Sequence, residues 1–537
     1  MKITPLGGLS EVGMNCMVLE LGDQVFIIDC GTTMSHSPWL GYDAVYPDFK
    51  YLKELGKPVS ALILTHAHED HVGAIPNLLM EVEVPVIFCG EFTSEVLRQK
   101  LEDFQLSNST FIEEQKEDKP WRLGATGFEF VLNNHSIFES YGVIIRHKEG
   151  NIFHSGDFRI DQNEYKDKIM RPAQIKKKIG ECFLMFSDST NSEKEGWSED
   201  EKSLDKDFQK IFNSPYRNIY VTCFASNVRR TQHFVELGLK AGYRICPIGR
   251  SMHKFLDRSH RFGLFQIPSD RLVDMDDLGP STPNIMFLIT GSQGEQNSAL
   301  MRLAKGEQRR IKLQEEDLVL FSSLQIPGNE TKIRYLKNLL SHHTQNIIDN
   351  KVMRVHSSGH AFQEEQLELL NAIKPRHFVP VHGDRMMLLR HAKTAREDAN
   401  IQNAHVLQNY QSLRINGENA LVDSREDYNL HWKQDQLTGF VSDEAIAQKR
   451  RITKRGLILI KLIERHASGV EFFVRAYGVL GTRSAGEVQQ SIISELERLS
   501  SIWYKSSKDK THKQYLDLEI RRFCKRNFPQ RPAIDFE

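Results

Sequence analysis

The 537-residue sequence has no apolar run approaching the ~20 residues that a membrane-spanning helix needs. Its opening, "MKITPLGGLSEVGMN", lacks the charged start and apolar stretch of a secretory signal. These two absences set the expectation of a cytoplasmic protein with no membrane partner. Net charge is nearly absent as well: 70 Lys and Arg face 71 Asp and Glu, leaving −1. A global basic field for nucleic acid is thereby excluded, and any such site must be a local patch. The seven cysteines (Cys16, Cys30, Cys89, Cys182, Cys223, Cys246 and Cys524) are odd in number and form no CxxC pair. That pattern argues against a disulfide framework and for buried, reduced thiols. No internal repeat or low-complexity tract stands out.

What is present fits a soluble chain of two or three domains, since the length exceeds one ordinary core. The first 200 residues alternate short apolar runs with turns. "QVFIID", "ALILT", "VPVIF", "FEFVL", "YGVIIR", "NIFHSGD" and "FLMFSD" read as strands, with "TSEVLRQKLEDF" as a helix between them. Strands ending in polar loops suit a layered α/β sandwich with ligands gathered at one edge. From about 205, longer strand–helix pairs such as "NIYVTCF" with "SNVRRTQHFVELGLKAG" predict a parallel, doubly wound block. Near 352, "VMRVHSSGH" returns to the strand–loop style, and "RHFVPVHG" reads as a further strand. A polar stretch then precedes a final segment with two strands, a long helix and the basic helix "LDLEIRRFCKRNF".

The densest chemistry lies in "LTHAHEDHVG". Alternate side chains of an extended segment share a face, so His66 and His68 project together, with Asp70 and His71 at the following turn. Imidazole and carboxylate together suit zinc or a similar divalent ion. One loop cannot complete two such sites. His135 in "NNHS", Asp157 in "HSGDFRID" and His382 in "VPVHGD" each follow a strand beside a turn residue. Each alone is weak, since a lone histidine at a strand end is more often structural. Together with the loop they make seven ligands, enough for two metals with a shared carboxylate.

That set resembles the metallo-β-lactamase fold. The words around it ("GGLSEVGMN", "LTHAHEDHVGAIPNLL", "SGDFRID", "SDSTN", "FASNVRR", "GRSM", "TGSQGE", "IPGNE", "SGHAFQEE", "VPVHGD") are similar to ribonuclease J, an RNA-degrading branch of the beta-CASP nucleases. The likeness runs in order from residue 6 to about 395 and resumes near the C-terminus. It implies an α/β architecture: a metallo-β-lactamase αββα sandwich over 1–205 and 351–425, an inserted beta-CASP α/β domain over 206–350, a linker over 426–445 and a small α+β domain over 446–537. It implies two Zn2+, with Mn2+ or Mg2+ as alternatives that support activity. One ion would take His66, His68 and His135, the other Asp70, His71 and His382. Asp157 would bridge them, with a hydroxide between. The expected activity is 5′-to-3′ exonuclease and endonuclease hydrolysis of RNA, preferring single strands with a 5′ monophosphate and leaving 5′-phosphate products. The expected partners are a second or further copies of the chain, as homodimer or homotetramer, and other RNA-decay enzymes.

The resemblance also implies that His360 is the general acid, oriented by Asp188, with Asp70 in the catalytic set. An aspartate on one ring nitrogen fixes the tautomer and raises the imidazole pKa. RNA near its 5′ phosphate would meet Ser226, Asn227 and Val228 and the loop His356, Ser357, Ser358, Gly359 and His360, whose amides can face a phosphate. Phe224 reads as a base-stacking ring or as core, and Arg250 as a phosphate partner or a structural ion pair. Phe362 departs from the family, which usually has a small or basic residue there. Between 501 and 537, nine Lys and Arg against five Asp and Glu make a basic patch, with another in "QKRRITKRG". These read as RNA-guiding or as a solvated face. Three rival functions stay open on sequence alone: a small-molecule hydrolase on the same fold, a DNA nuclease, and an RNA-binding scaffold.

Overall fold

In the computed structural model the described residues are 1–34, 44–161, 171–224, 227–325, 329–425, 427–428, 431–434, 437–440, 443–465, 469–478, 485–505, 511–528 and 532–536. The chain divides into two compact units, the first comprising Met1–Met34 and Val45–Asn429.

Two large sheets organise this first unit. One has eight strands, in the order Asn419–Arg425, Gln411–Asn416, Lys2–Gly7, Cys16–Leu21, Gln24–Ile28, Ala61–Ile63, Val86–Cys89 and Phe111–Glu114. The other has six: His377–Val381, Leu184–Asp188, Gly150–His154, Ser140–His147, Thr126–Asn133 and Trp121–Leu123. Their strands read as continuous apolar runs because both faces are covered. Phe26 and Ile28 point into a core shared with Phe128, Phe130, Val143, Leu184 and Val379 of the second sheet. Val25 and Ile27 point the other way, onto Ile75, Leu78, Leu97 and Leu101 of the helices Ile75–Glu81 and Glu91–Asp103. The second sheet's outer residues Val131, Ile144, Met185 and Phe378 meet the helices Pro172–Ile179, Gln363–Ile373 and Arg385–Glu397. This is the expected four-layer αββα sandwich. Each fully buried Phe or Leu contributes ~1.5–3 kcal/mol, so truncating Phe128 at the centre costs ~3–5 kcal/mol.

The middle block is a parallel sheet, Arg244–Ile248, Ile285–Ile289, Asn218–Thr222, Leu318–Phe321 and Ile347–Ile348. Ile219 and Val221 bury on one face with Phe234 and Phe255, and Tyr220 on the other with Leu300 and Leu336. Pro247 sits on its edge strand, where a missing N–H costs nothing.

One local expectation fails. "VMRVHSSGH" holds no strand: after Ile347–Ile348 the chain turns and runs as an irregular loop until the helix Gln363–Ile373. Side chains rather than a neighbouring strand satisfy its backbone: Asn350 Oδ1 accepts from the amides of Val355 and His356, and arginines bond the carbonyls of Ser357 and Ser358.

The second unit comprises Ser35–Ala44 and Leu430–Glu537. The strands His431–Gln434 and Leu437–Phe440 pair antiparallel within the stretch read as a linker. A three-stranded sheet, Gly469–Tyr477, Leu457–Arg465 and Ala533–Phe536, packs Ile458, Ile460 and Val474 against Ile492, Leu496, Leu516 and Ile520 of two helices. Basic residues of the helix Asp443–Arg455 face solvent, whereas Arg521 and Arg522 are paired with Asp517 and Glu519. Lys508, Lys510 and Arg531 lie outside the described residues. Among the described residues no helix is long and apolar enough to cross a membrane.

Candidate metal centre

The chemistry-bearing residues come from loops at one edge of the two large sheets. The strand Ala61–Ile63 delivers the loop carrying His66 and His68, and a four-residue helix, Glu69–Val72, turns Asp70 and His71 inward. Backbone bonds lace this loop to its neighbours: Cys30 N–H donates to His71 O (2.7 Å) and Asn15 N–H to Asp70 O (2.9 Å). The approach is so close that a Cβ on Gly31 would lie 1.7 Å from Asp70 O. His135 follows the strand Thr126–Asn133, Asp157 follows Gly150–His154, and His382 follows His377–Val381. His382 has φ +54°, a left-handed backbone that a non-glycine residue keeps only when its surroundings hold it.

Three donor groups share one carboxylate: His66, His68, His135 and Asp157; Asp70, His71, His382 and Asp157; and Asp188, His360, His382 and Asp157. His68 Nδ1 lies 3.0 Å from His66 Nε2 and 3.1 Å from His135 Nε2. Asp157 Oδ2 lies 3.7 Å from both His66 Nε2 and His135 Nε2, 3.2 Å from His71 Nε2 and 3.9 Å from His382 Nε2. The far ring nitrogens fix which atoms face inward. His135 Nδ1–H donates to the Gly359 carbonyl at 2.6 Å, because that oxygen can only accept. His71 Nδ1 bonds Asp29 Oδ2 at 2.8 Å. His382 Nδ1 bonds Thr190 Oγ1 at 2.7 Å and Asp188 Oδ1 at 3.1 Å. The Nε2 atoms of His135, His71 and His382 are thereby aimed at the centre. His382 Nε2 stands 3.1 Å from Asp70 Oδ2, a distance that calls for a shared proton or a cation between them.

The electrostatics agree. Burial, assisted by the neighbouring imidazoles, keeps His66 and His135 neutral far below the ordinary histidine range, and takes His68 down to about 4. Burial opposes ionisation of Asp157 too, yet His382 and His71 hold it well below the usual carboxylate range. His71 and His382 are pushed well up despite burial, by Asp157 with Asp70 and Asp29, and by Asp157 with Asp188. Converging imidazole nitrogens, two ionised carboxylates and outer partners on the far nitrogens are the donor chemistry of a divalent cation site. A divalent metal is the cofactor this set fits.

Beside it, His360 Nδ1 sits 2.7 Å from Asp188 Oδ2. Asp188 is buried and bridges His360 to His382, while His360 keeps 22% of its side chain exposed to solvent. Burial lowers the His360 pKa, but Asp188 outweighs it and the net direction is upward.

The remaining predicted residues divide. The hydroxyl of Ser357 accepts from Arg159 and Arg230 and donates to Glu201 (3.0, 3.0 and 2.8 Å), which exhausts its capacity. His356 Nδ1 is bonded by Arg230. Asn227 caps the helix Val228–Lys240 by accepting from Arg230 N–H, and Val228 is core. The amides of His356 and Asn227 are taken as well, by Asn350 Oδ1 (3.2 Å) and Phe224 O (3.0 Å). Ser226 lies outside the described residues. Phe224 is half-buried and Arg250 is exposed at the start of the helix Arg250–Arg261. Ser358 Oγ accepts from Asn191 (2.9 Å), and Phe362 lies under the Lys194 ammonium. Sequence reasoning missed Asp29, Thr190 and the Gly359 carbonyl as partners of metal-facing imidazoles. Asp29 carried the same signal as Asp157, a carboxylate at a strand end beside glycine, in "IIDCG".

Three family models match the chain: the metallo-beta-lactamase superfamily over 10–169, the ribonuclease J beta-CASP domain over 216–340, and a Zn-dependent metallo-hydrolase RNA specificity domain over 349–407. A ribonuclease J of Helicobacter pylori (strain ATCC 700392 / 26695) is 35% identical over 73% of this chain and 58% of its own length. The chain thus spans less than two thirds of that relative. Ribonuclease J 1 of Streptococcus pyogenes serotype M3 is 32% identical over 84% of this chain and 81% of that protein. A ribonuclease J of Mycoplasma genitalium is 30% identical over 98% of this chain and 93% of that one. A crystal structure of a protein of unknown function from Enterococcus faecalis V583, 15% identical with a TM-score of 0.51, covers 78% of this chain and 99% of that chain, a likeness of fold alone.

Proposed function

The chain belongs to the ribonuclease J family, and from that premise we propose that it is a metal-dependent ribonuclease that hydrolyses RNA phosphodiesters to 5′-phosphate products, as exonuclease from the 5′ end and as endonuclease. The observation that carries this reading is Asp157 Oδ2, shared by two imidazole–carboxylate groups, with the His360–Asp188 pair alongside. His66, His68 and His135 with Asp157 would hold one zinc ion, and Asp70, His71 and His382 with Asp157 a second; manganese or magnesium in their place would also support activity. When bound, such ions supply Lewis acidity to the phosphodiester and make water a nucleophile at neutral pH.

The chain's own groups supply the rest. Asp188 keeps the Nδ1 proton of His360 in place, so the proton available for transfer is on Nε2. His360 gives that proton to the 3′ oxygen as it leaves. The amide of Val228, at the N-terminus of a 13-residue helix, and those of Ser357, Ser358 and Gly359 receive the phosphate at the RNA 5′ end. A homodimer or homotetramer acting in the cytoplasm alongside other RNA-decay enzymes completes the proposal and rests on the family likeness.

Stripping metal with a chelator, restoring zinc or manganese, and comparing wild type with His360→Ala on one RNA tests the assignment. Cleavage that requires metal and collapses in His360→Ala is expected. Undiminished cleavage by the alanine variant removes the acid role.

A further inference from the structure

The helix Val228–Lys240 opens with two consecutive arginines, Arg229 and Arg230. Cations near a helix N-terminus oppose its dipole by ~0.3–1 kcal/mol each, so helix formation does not account for them. Both guanidinium groups instead reach out of the beta-CASP domain to segments that flank the metal-facing residues. Arg229 donates to Asn134 Oδ1, on the residue before the metal-facing His135. The same asparagine is bonded to Asp161, and its carbonyl accepts from Arg159 N–H at 2.8 Å.

Arg230 is fully buried, and its five N–H groups are all engaged. Nε and one terminal nitrogen grip both oxygens of Glu201; that same nitrogen reaches Ser357 O (3.2 Å) and Oγ (3.0 Å); the other serves His356 Nδ1 and Ser322 O (3.4 Å). Arg159 clamps the loop from the opposite side through Ser357 Oγ (3.0 Å) and Ser358 O (2.8 Å). Glu201, pulled down to about 2 by the two arginines against the effect of burial, stays ionised between them. Two residues after Ser357 comes Gly359, whose carbonyl orients His135, and then His360 on Asp188. His135 is therefore flanked by two segments that the arginines bond: Asn134, the residue before it, and the 356–360 loop, whose Gly359 carbonyl accepts from its ring.

We propose that Arg229 and Arg230 are positioning residues through which the beta-CASP domain sets the ring of His135 and the loop bearing His360, so that metal retention and acid placement both depend on this pair. The inference rests on the reading of the site as a metal centre. Neither arginine has a place in the list of ligands or of the acid; their reach across the domain boundary is what assigns the role. Lysine cannot replace Arg230, since three donors on a point charge cannot reproduce a five-donor planar fork.

The test uses the purified full chain as wild type, Arg230→Lys, Arg229→Gln and Ser357→Ala. Circular dichroism and a cooperative melt establish folding. Zinc affinity is then measured by competition with a chromophoric chelator, and kcat and KM on RNA separately. Folded Arg230→Lys and Arg229→Gln are expected to bind zinc ~10–100-fold more weakly, the usual consequence of losing an outer partner of a metal ligand, with kcat falling more than KM. If Arg230→Lys does not fold, Arg229→Gln and the uncharged change Ser357→Ala carry the same expectation. Folded variants with wild-type zinc affinity and wild-type kcat overturn the proposal. Should the wild type bind zinc yet cut no RNA, the ribonuclease reading fails, and the zinc affinities alone decide this inference.

Discussion

Replacing Asp188 with asparagine keeps the shape of the side chain and removes its charge. The carboxylate is buried and serves two imidazoles at once, Oδ2 at 2.7 Å from His360 Nδ1 and Oδ1 at 3.1 Å from His382 Nδ1. Oδ1 also accepts from Thr190 N–H at 2.9 Å. An amide offers only one acceptor oxygen, so one of the two rings must face a donor and shift its proton to Nε2. On His382 that shift spoils the nitrogen aimed at the metal; on His360 it leaves a ring that no longer holds an acidic proton on Nε2 through a charged partner. Hydrogen bonds to a charged group are worth ~1.5–3 kcal/mol each, so losing two costs the transition state ~3–6 kcal/mol. At ~1.36 kcal/mol per factor of ten, the chemical step slows by ~10²–10⁴. Single-turnover cleavage of an RNA at saturating metal reads this directly, with metal content measured by mass spectrometry on the same sample. A metal-loaded Asp188→Asn protein that cuts at the wild-type rate refutes the reasoning.

Gly359→Ala places a Cβ 2.8 Å from Ser136 Oγ, 2.9 Å from Ser136 Cβ and 3.0 Å from His135 Cε1. The loop or the ligand ring must give way; a stability loss of ~1–3 kcal/mol should appear in denaturant unfolding, together with weaker zinc binding in the chelator competition. Asp29→Asn removes the acceptor of His71 Nδ1 and should weaken metal affinity ~10–100-fold in that competition; unchanged affinity would mean that His71 needs no orienting partner. Glu201 has a folded pKa of about 2, below its unfolded value. Its stabilising contribution is therefore present above the ordinary carboxylate pKa and lost as pH falls through about 2. The stability gap between wild type and Glu201→Gln, measured by urea unfolding, should shrink as the pH is lowered from neutrality through this window, and a gap that widens there contradicts the assignment.

The first layer of the site was legible because its signal is local. His66, His68, Asp70 and His71 crowd one loop, and His135, Asp157 and His382 each end a strand whose apolar pattern is plain. Both sheets and the parallel middle block followed from the same patterning, since strands buried on both faces read as continuous apolar runs. The second layer was not legible, because its partners are remote in sequence. His71 meets Asp29 across 42 positions, His382 meets Thr190 across 192 and His135 meets Gly359 O across 224. No spacing rule relates such pairs, and a backbone carbonyl leaves no trace in residue identity. For the same reason the engagement of the Ser357 hydroxyl leaves no local sign: its partners Arg159, Arg230 and Glu201 arrive from three other segments. The absent strand near 352 has a similar origin, because side chains from elsewhere satisfy a backbone whose apolar residues alone resemble a strand.

The account turns on RNA being cut at this metal centre. The most direct measurement incubates the purified zinc- or manganese-loaded chain with one RNA bearing a 5′ monophosphate or a 5′ triphosphate, with the matching DNA and an Asp70→Asn variant as controls. The account predicts mononucleotides from the monophosphate RNA, internal cuts in both RNAs, little action on DNA and none by the variant. Intact RNA beside a fully metal-loaded protein, or cleavage that persists in Asp70→Asn, would contradict it.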